Sequence, residues 1–136
     1  MTDRIAKDYV STVYNCSFAF APGVANHSTC TITVADQRGN TIGEIQPMLV
    51  WISDSPIGAG LPGVGPTNLA AISGGGTYLQ ETTANQAAIV LTNSSGQFKL
   101  DITDAVTKVY YVCASPLAGS NGFINVSRIM AATDFT

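Results

Sequence analysis

Charge is the scarcest thing in this sequence. Of 136 residues only six are Lys or Arg and nine are Asp or Glu, together 11%, against about 25% in ordinary soluble domains. The six cations, Arg4, Lys7, Arg38, Lys99, Lys108 and Arg128, are scattered along the chain. Nucleic acids are held by clustered positive charge, so no nucleic-acid partner is expected. Apolar runs are short too. Met48-Leu49-Val50-Trp51-Ile52 falls far below the ~20 residues that span a bilayer, and no membrane role is expected. The opening residues Met1 to Asp8 carry no apolar stretch of the signal-peptide kind, which reads as a protein made and kept in a cytoplasm. Scarce charge does not mean disorder here. Hydrophobic residues make up 46% of the chain, whereas disordered segments combine low hydrophobicity with high net charge. A chain of this length suits one domain and can bury roughly two-thirds of its unfolded surface. Its polar surface falls to Ser, Thr, Asn and Gln. Such a surface repels neighbours weakly and suits a protein that lives in an assembly.

The groups that carry chemistry are few and dispersed. His27 is the single histidine and lies in an Asn-His-Ser stretch that reads as an exposed turn. With Cys16, Cys30 and Cys113 it would formally complete four zinc ligands, but no Cys-x-x-Cys spacing supports that. Three cysteines, an odd number, fit a disulfide framework poorly. The preferred reading is three buried free thiols acting as small hydrophobes, with one bond, Cys16–Cys30 or Cys30–Cys113, left open. The string Gly58-Ala59-Gly60-Leu61-Pro62-Gly63 has Gly-x-Gly-x-x-Gly spacing, yet a dinucleotide site needs that string to open a helix. Pro62 and the Gly63-Val64-Gly65-Pro66 that follows forbid one, so it reads as a flexible loop. The carboxylates stand singly, and no Asp-x-Asp-x-Asp calcium loop occurs. These observations point to no enzyme, no cofactor and no metal.

Strand signals dominate what remains. Cys30-Thr31-Ile32-Thr33-Val34 alternates strictly, placing Cys30, Ile32 and Val34 on one face. Asp36-Gln37-Arg38-Gly39-Asn40 then supplies a turn, with Asp as side-chain cap and Gly for positive φ. Further strands are expected at Ser17–Ala21, Pro47–Ser53, Ala87–Thr92, Phe98–Ile102, Lys108–Ser115 and Phe123–Met130, with a short one near Leu69–Ile72. Asn93-Ser94-Ser95-Gly96 between two of them predicts a hairpin with Gly96 in the left-handed position. These short strands, with turn chemistry between them, predict an all-β, antiparallel β-sandwich. Residues 1–16 are read as an N-terminal arm, with Thr2–Val10 the one helix candidate, and 17–136 as the sandwich. The Gly- and Pro-rich stretch from Pro56 to Gly76 is a long loop, which in a compact domain is often functional.

Two strands are apolar on both faces. Val109, Tyr111 and Cys113 oppose Tyr110, Val112 and Ala114; Met48, Val50 and Ile52 oppose Leu49 and Trp51. A sandwich strand ordinarily buries one face and wets the other. Cover for the second face must come from the long loop, from the N-terminal arm, or from another subunit.

Thr31-Ile32-Thr33-Val34-Ala35-Asp36-Gln37-Arg38-Gly39-Asn40-Thr41-Ile42 resembles the opening of bacterial immunoglobulin-like (invasin-type) repeats, in which a strand runs into an Asp-x-x-Gly-Asn turn. Thr92 to Leu100 is similar to their later Thr-x-x-x-Gly hairpin. More closely, Val50-Trp51-Ile52-Ser53-Asp54, Gly75 to Leu79 and Tyr110-Tyr111-Val112 resemble small stand-alone virion proteins of tailed bacteriophages. The likeness runs from about Cys30 to Met130. It implies an immunoglobulin-like β-sandwich, a virion location and a capsid decoration or cement protein, partnered by the major capsid protein and commonly a homotrimer. A neck, tail or head-fibre component is the alternative, and a carbohydrate- or receptor-binding module a third reading. On the cement reading the expected contact residues are Ile5, Tyr9 and Val10 of the arm and Ile57, Leu61 and Val64 of the loop.

Overall fold

The computed structural model describes residues 15–23, 25–36, 38–105, 109–116 and 125–130. Among these residues there are nine strands and no helix. They are β1 (Asn15–Pro22), β2 (His27–Ala35), β3 (Pro47–Ser53), β4 (Asn68–Ala71), β5 (Thr77–Thr83), β6 (Ala87–Leu91), β7 (Gln97–Thr103), β8 (Tyr110–Pro116) and β9 (Asn125–Met130). Every pairing between them is antiparallel. One sheet runs β1-β2-β7-β4 and the other β5-β6-β3-β8-β9. The chain is therefore a β-sandwich. Its strand orders are those of an immunoglobulin variable domain, with the β5–β6 hairpin in the place of the two extra strands. Here the chain reaches that hairpin after β4 rather than before it. The helix candidate Thr2–Val10 lies outside the described residues, as do most residues of the arm.

Alternation builds the core. β2 presents Cys30, Ile32 and Val34 inward, β7 presents Phe98, Leu100 and Ile102, and all are essentially inaccessible. From the opposite sheet come Met48, Val50 and Ile52 of β3, Ala88 and Val90 of β6, and Tyr110, Val112 and Ala114 of β8. Each large side chain buried this way contributes roughly 1.5–3 kcal/mol. A one-residue slip would turn every member of a strand outward, so the core fixes register as well as stability.

The expected hairpin across residues 92–96 is not formed. β6 pairs with β5 and β3, whereas β7 pairs with β2 and β4, in the other sheet. The turn itself is tight: Asn93 Oδ1 accepts from the amides of Ser95 and Gln97, and Gly96 takes φ 73°. A Cβ at Gly96 would collide with the Ile42 carbonyl oxygen. Beyond the turn the strands separate because each buries its apolar set against the other. Val90 and Phe98 point into the core from opposite sheets rather than lying side by side. The segment is an arch from sheet to sheet. The Asp36 turn behaves as expected, with Asp36 Oδ1 accepting from the amides of Arg38 and Asn40 and Gly39 at φ 85°.

β5 was not legible as a strand. Tyr78, stacked on Phe98 with ring centroids 5.9 Å apart, is its one half-buried residue, and the other six are exposed. Its pairing with β6 is broken by register shifts between Tyr78 and Gln80 and again between Glu81 and Thr83. Along the opposite side of the sandwich β1 and β9 lie against each other.

Candidate partner-binding loop and the second apolar layer

The outer face of the five-stranded sheet carries a second apolar layer. Trp51, Ala87 and Cys113 are buried there, with Leu49 and Tyr111 packed beside them. Trp51 stands opposite both Ala87 and Cys113 in the ladder. The doubly apolar reading of β3 and β8 is thus the arrangement in the structure.

Part of the cover comes from the chain itself. The loop between β3 and β4 turns back beneath Trp51, whose Nε1 donates to the Gly58 carbonyl at 3.1 Å in a buried bond. Around it Ser53 Oγ donates to the Ala59 carbonyl at 3.4 Å, and the Ser55 amide donates to Ser53 Oγ at 3.0 Å. The Ile57 amide donates to Ser55 Oγ, and the Gly58 amide to the Ser55 carbonyl. Gly58, at φ 74°, is buried, as are Pro62 and Pro66. Gly65 rests so closely on Gln86 that a Cβ would lie 2.9 Å from its Cγ. At the far foot Asn85 donates to the Thr67 carbonyl and accepts from the Leu69 amide. The sequence reads this stretch as a flexible loop. In the structure it is tethered at several points, because the Trp51 indole and the serine hydroxyls satisfy its backbone groups.

Tethering leaves three apolar side chains projecting. Ile57 and Val64 are each 73% exposed and Leu61 is 42% exposed. These are the three loop residues expected as contacts, and they share one loop. Val109, also exposed, immediately precedes β8, whose Tyr111 pairs with Ser53 at the root of this loop. The other three expected contacts, Ile5, Tyr9 and Val10, lie outside the described residues.

The remaining candidate groups do not converge. Cys16, Cys30 and Cys113 are free thiols. Cys30 points into the inter-sheet core, while Cys113 belongs to the outer layer. Opposite parity on β2 and β8 therefore forbids the Cys30–Cys113 bond. Burial pushes the Cys16 and Cys113 thiols up to about 12, which leaves them protonated and unreactive at neutral pH. His27 is not in an exposed turn. It opens β2, half-buried, with Nδ1 2.9 Å from both carboxylate oxygens of Asp101 and 3.2 Å from Thr103 Oγ1. This cluster sits on the outer face of the four-stranded sheet, away from Cys16 and Cys30. Among the described residues no three His, Cys, Asp or Glu side chains are placed to hold a metal ion. Asp101 contacts Nδ1, while Thr103 Oγ1 lies 3.2 Å from Nδ1 and 3.5 Å from Nε2.

Compared with protein-family models, curated proteins and solved structures, the chain finds no match.

Proposed function

We propose that this domain is a non-catalytic virion structural protein that decorates a tailed-phage capsid and cements it. The observation that carries the reading is the β3–β4 loop, which projects Ile57 and Val64, both 73% exposed, from a hydrogen-bonded base. Isolated exposed aliphatics are ordinary. Several on one tethered loop that bears no charge between Ser55 and Thr67 form a surface suited to another protein. The resemblance of Val50–Asp54, Gly75–Leu79 and Tyr110–Val112 to small phage virion proteins supplies the kind of partner. That partner is the major capsid protein, engaged by a trimer at three-fold positions.

Mechanically the effect is additive. A protein that binds the assembled shell and not its free subunits stabilises the shell by mass action. Many symmetry-related copies compound modest individual contacts. The test uses capsids assembled without this chain, mixed with the purified protein. Saturable binding and a higher capsid melting temperature are expected. Absence of saturable binding overturns the reading. Ile57→Asp combined with Val64→Asp should weaken binding by about tenfold or more, which corresponds to ~1.4 kcal/mol. The melting temperature of the isolated domain should barely change.

A further inference from the structure

We propose that Trp51 is the positioning residue of the binding loop, presetting Ile57 and Val64 before any partner arrives. The inference rests on the reading of this loop as the contact element, and goes beyond it by assigning what gives the loop its shape. The indole faces away from the inter-sheet core, in the outer layer with Ala87 and Cys113. Its one polar atom is spent on the loop: Nε1–H to the Gly58 carbonyl, 3.1 Å, buried. Gly58 follows Ile57 directly and is the inward point between the outward Ile57 and Leu61. Ser53, two residues beyond Trp51 on the same face, repeats the arrangement one carbonyl later, at Ala59. Two side chains at alternate positions of one strand thus hold two successive loop carbonyls.

A Gly-rich loop without such tethers would have to be ordered at the moment of binding, at a cost to affinity. Held from beneath, the tips of Ile57 and Val64 are presented in one arrangement, and association is spared that ordering. Trp51 touches no partner in this scheme. It acts through the loop backbone.

The chain has a single tryptophan, which makes the test direct. Its one indole N–H signal in a ¹H–¹⁵N spectrum should exchange with solvent slowly, on the order of a hundredfold below a free indole. Trp51→Phe keeps a ring in the layer and deletes the donor. Expected results are amide exchange at residues 57–60 faster by roughly tenfold or more, with β2 and β7 still protected, and capsid binding weaker by about tenfold. Ser53→Ala removes the second tether and should repeat the pattern more mildly, which keeps the test decisive if the ring replacement disturbs folding. Unchanged loop exchange and unchanged binding in both variants overturn the positioning role, while wild-type binding leaves the proposed function standing. Faster loop exchange with full-strength binding also overturns it, since presetting would then be irrelevant to the partner. Failure of the wild-type protein itself to bind capsids removes the functional reading instead, and the role assigned to Trp51 in binding falls with it.

Discussion

The two outer faces of this sandwich are opposites. On the four-stranded sheet, β2 turns Thr29, Thr31 and Thr33 outward, and β7 turns Gln97, Lys99, Asp101 and Thr103, all half-buried side chains that hydrate well. On the five-stranded sheet, β3, β6 and β8 turn out Leu49, Trp51, Ala87, Ile89, Leu91, Tyr111 and Cys113. The first face needs nothing over it. The second does, and the β3–β4 loop supplies cover at the Trp51 end. The contrast teaches that apolar content beyond a sandwich's interior need not signal a larger fold. It is placed where a loop can be anchored, and the anchored loop carries exposed aliphatics of its own.

That comparison can be broken most violently at the inner layer. Ile32→Asp or Phe98→Asp should abolish the cooperative transition seen by circular dichroism, since an unpaired buried charge costs several kcal/mol against a total of 5–15. Thr33→Asp, one residue along β2 and outward, should leave it in place. If the two behave alike, the assignment of faces is wrong. Next in size is the outer layer. Trp51→Ala should cost about 3 kcal/mol in urea denaturation, whereas Thr31→Ala, on the opposite outer face, should cost under ~0.5 kcal/mol. Equal costs would mean that the apolar layer is not a real second core.

Alkaline titration sharpens the inner boundary. Burial, reinforced by the Glu81 carboxylate, pushes the Tyr78 phenol from 10.0 up to about 12. Burial, with Asp104 and Asp54 nearby, does the same for Tyr110. Groups raised in the folded state stabilise it fully below the unfolded value and lose that contribution as pH climbs through the folded one. Stability should therefore decline between pH 10 and 12, with the absorbance of these two phenolates appearing only there. Phenolate absorbance near pH 10 that Tyr78→Phe or Tyr110→Phe removes, with the fold intact, would contradict their burial. On the polar face the His27–Asp101 pair is partly exposed, and Asp101→Asn should cost no more than ~1 kcal/mol. Smallest of all, reductant should leave the melting temperature unchanged. Any drop would mean that two of Cys16, Cys30 and Cys113 are bonded.

Much of this was readable before the structure. Strict alternation at Cys30–Val34 and the doubled apolar pattern at Met48–Ile52 and Val109–Ala114 placed side chains on the faces they occupy, because a strand's period of two admits only two choices. Pairing was less readable. Ala87–Thr92 and Phe98–Ile102 carry the composition of a hairpin, and only the demand that Val90 and Phe98 fill one core from opposite sheets separates an arch from a hairpin. β5 lacks an apolar stripe because it is an edge strand with one half-buried ring. His27 carries no local sign of Asp101, which is 74 residues away in the chain. The anchoring of the loop was hidden for a similar reason, since Trp51 is met by a backbone carbonyl, which leaves no mark in sequence. A single tryptophan on the outward parity of a strand, followed by a Gly/Pro-rich stretch, was the one clue.

The two irregularities in β5 bear on crowding. An exposed strand edge is a template on which another chain can add. With its ladder interrupted twice and Glu81 on its rim, β5 makes a poor template for fibre growth. Molecules crowded together are then less prone to join through a shared sheet.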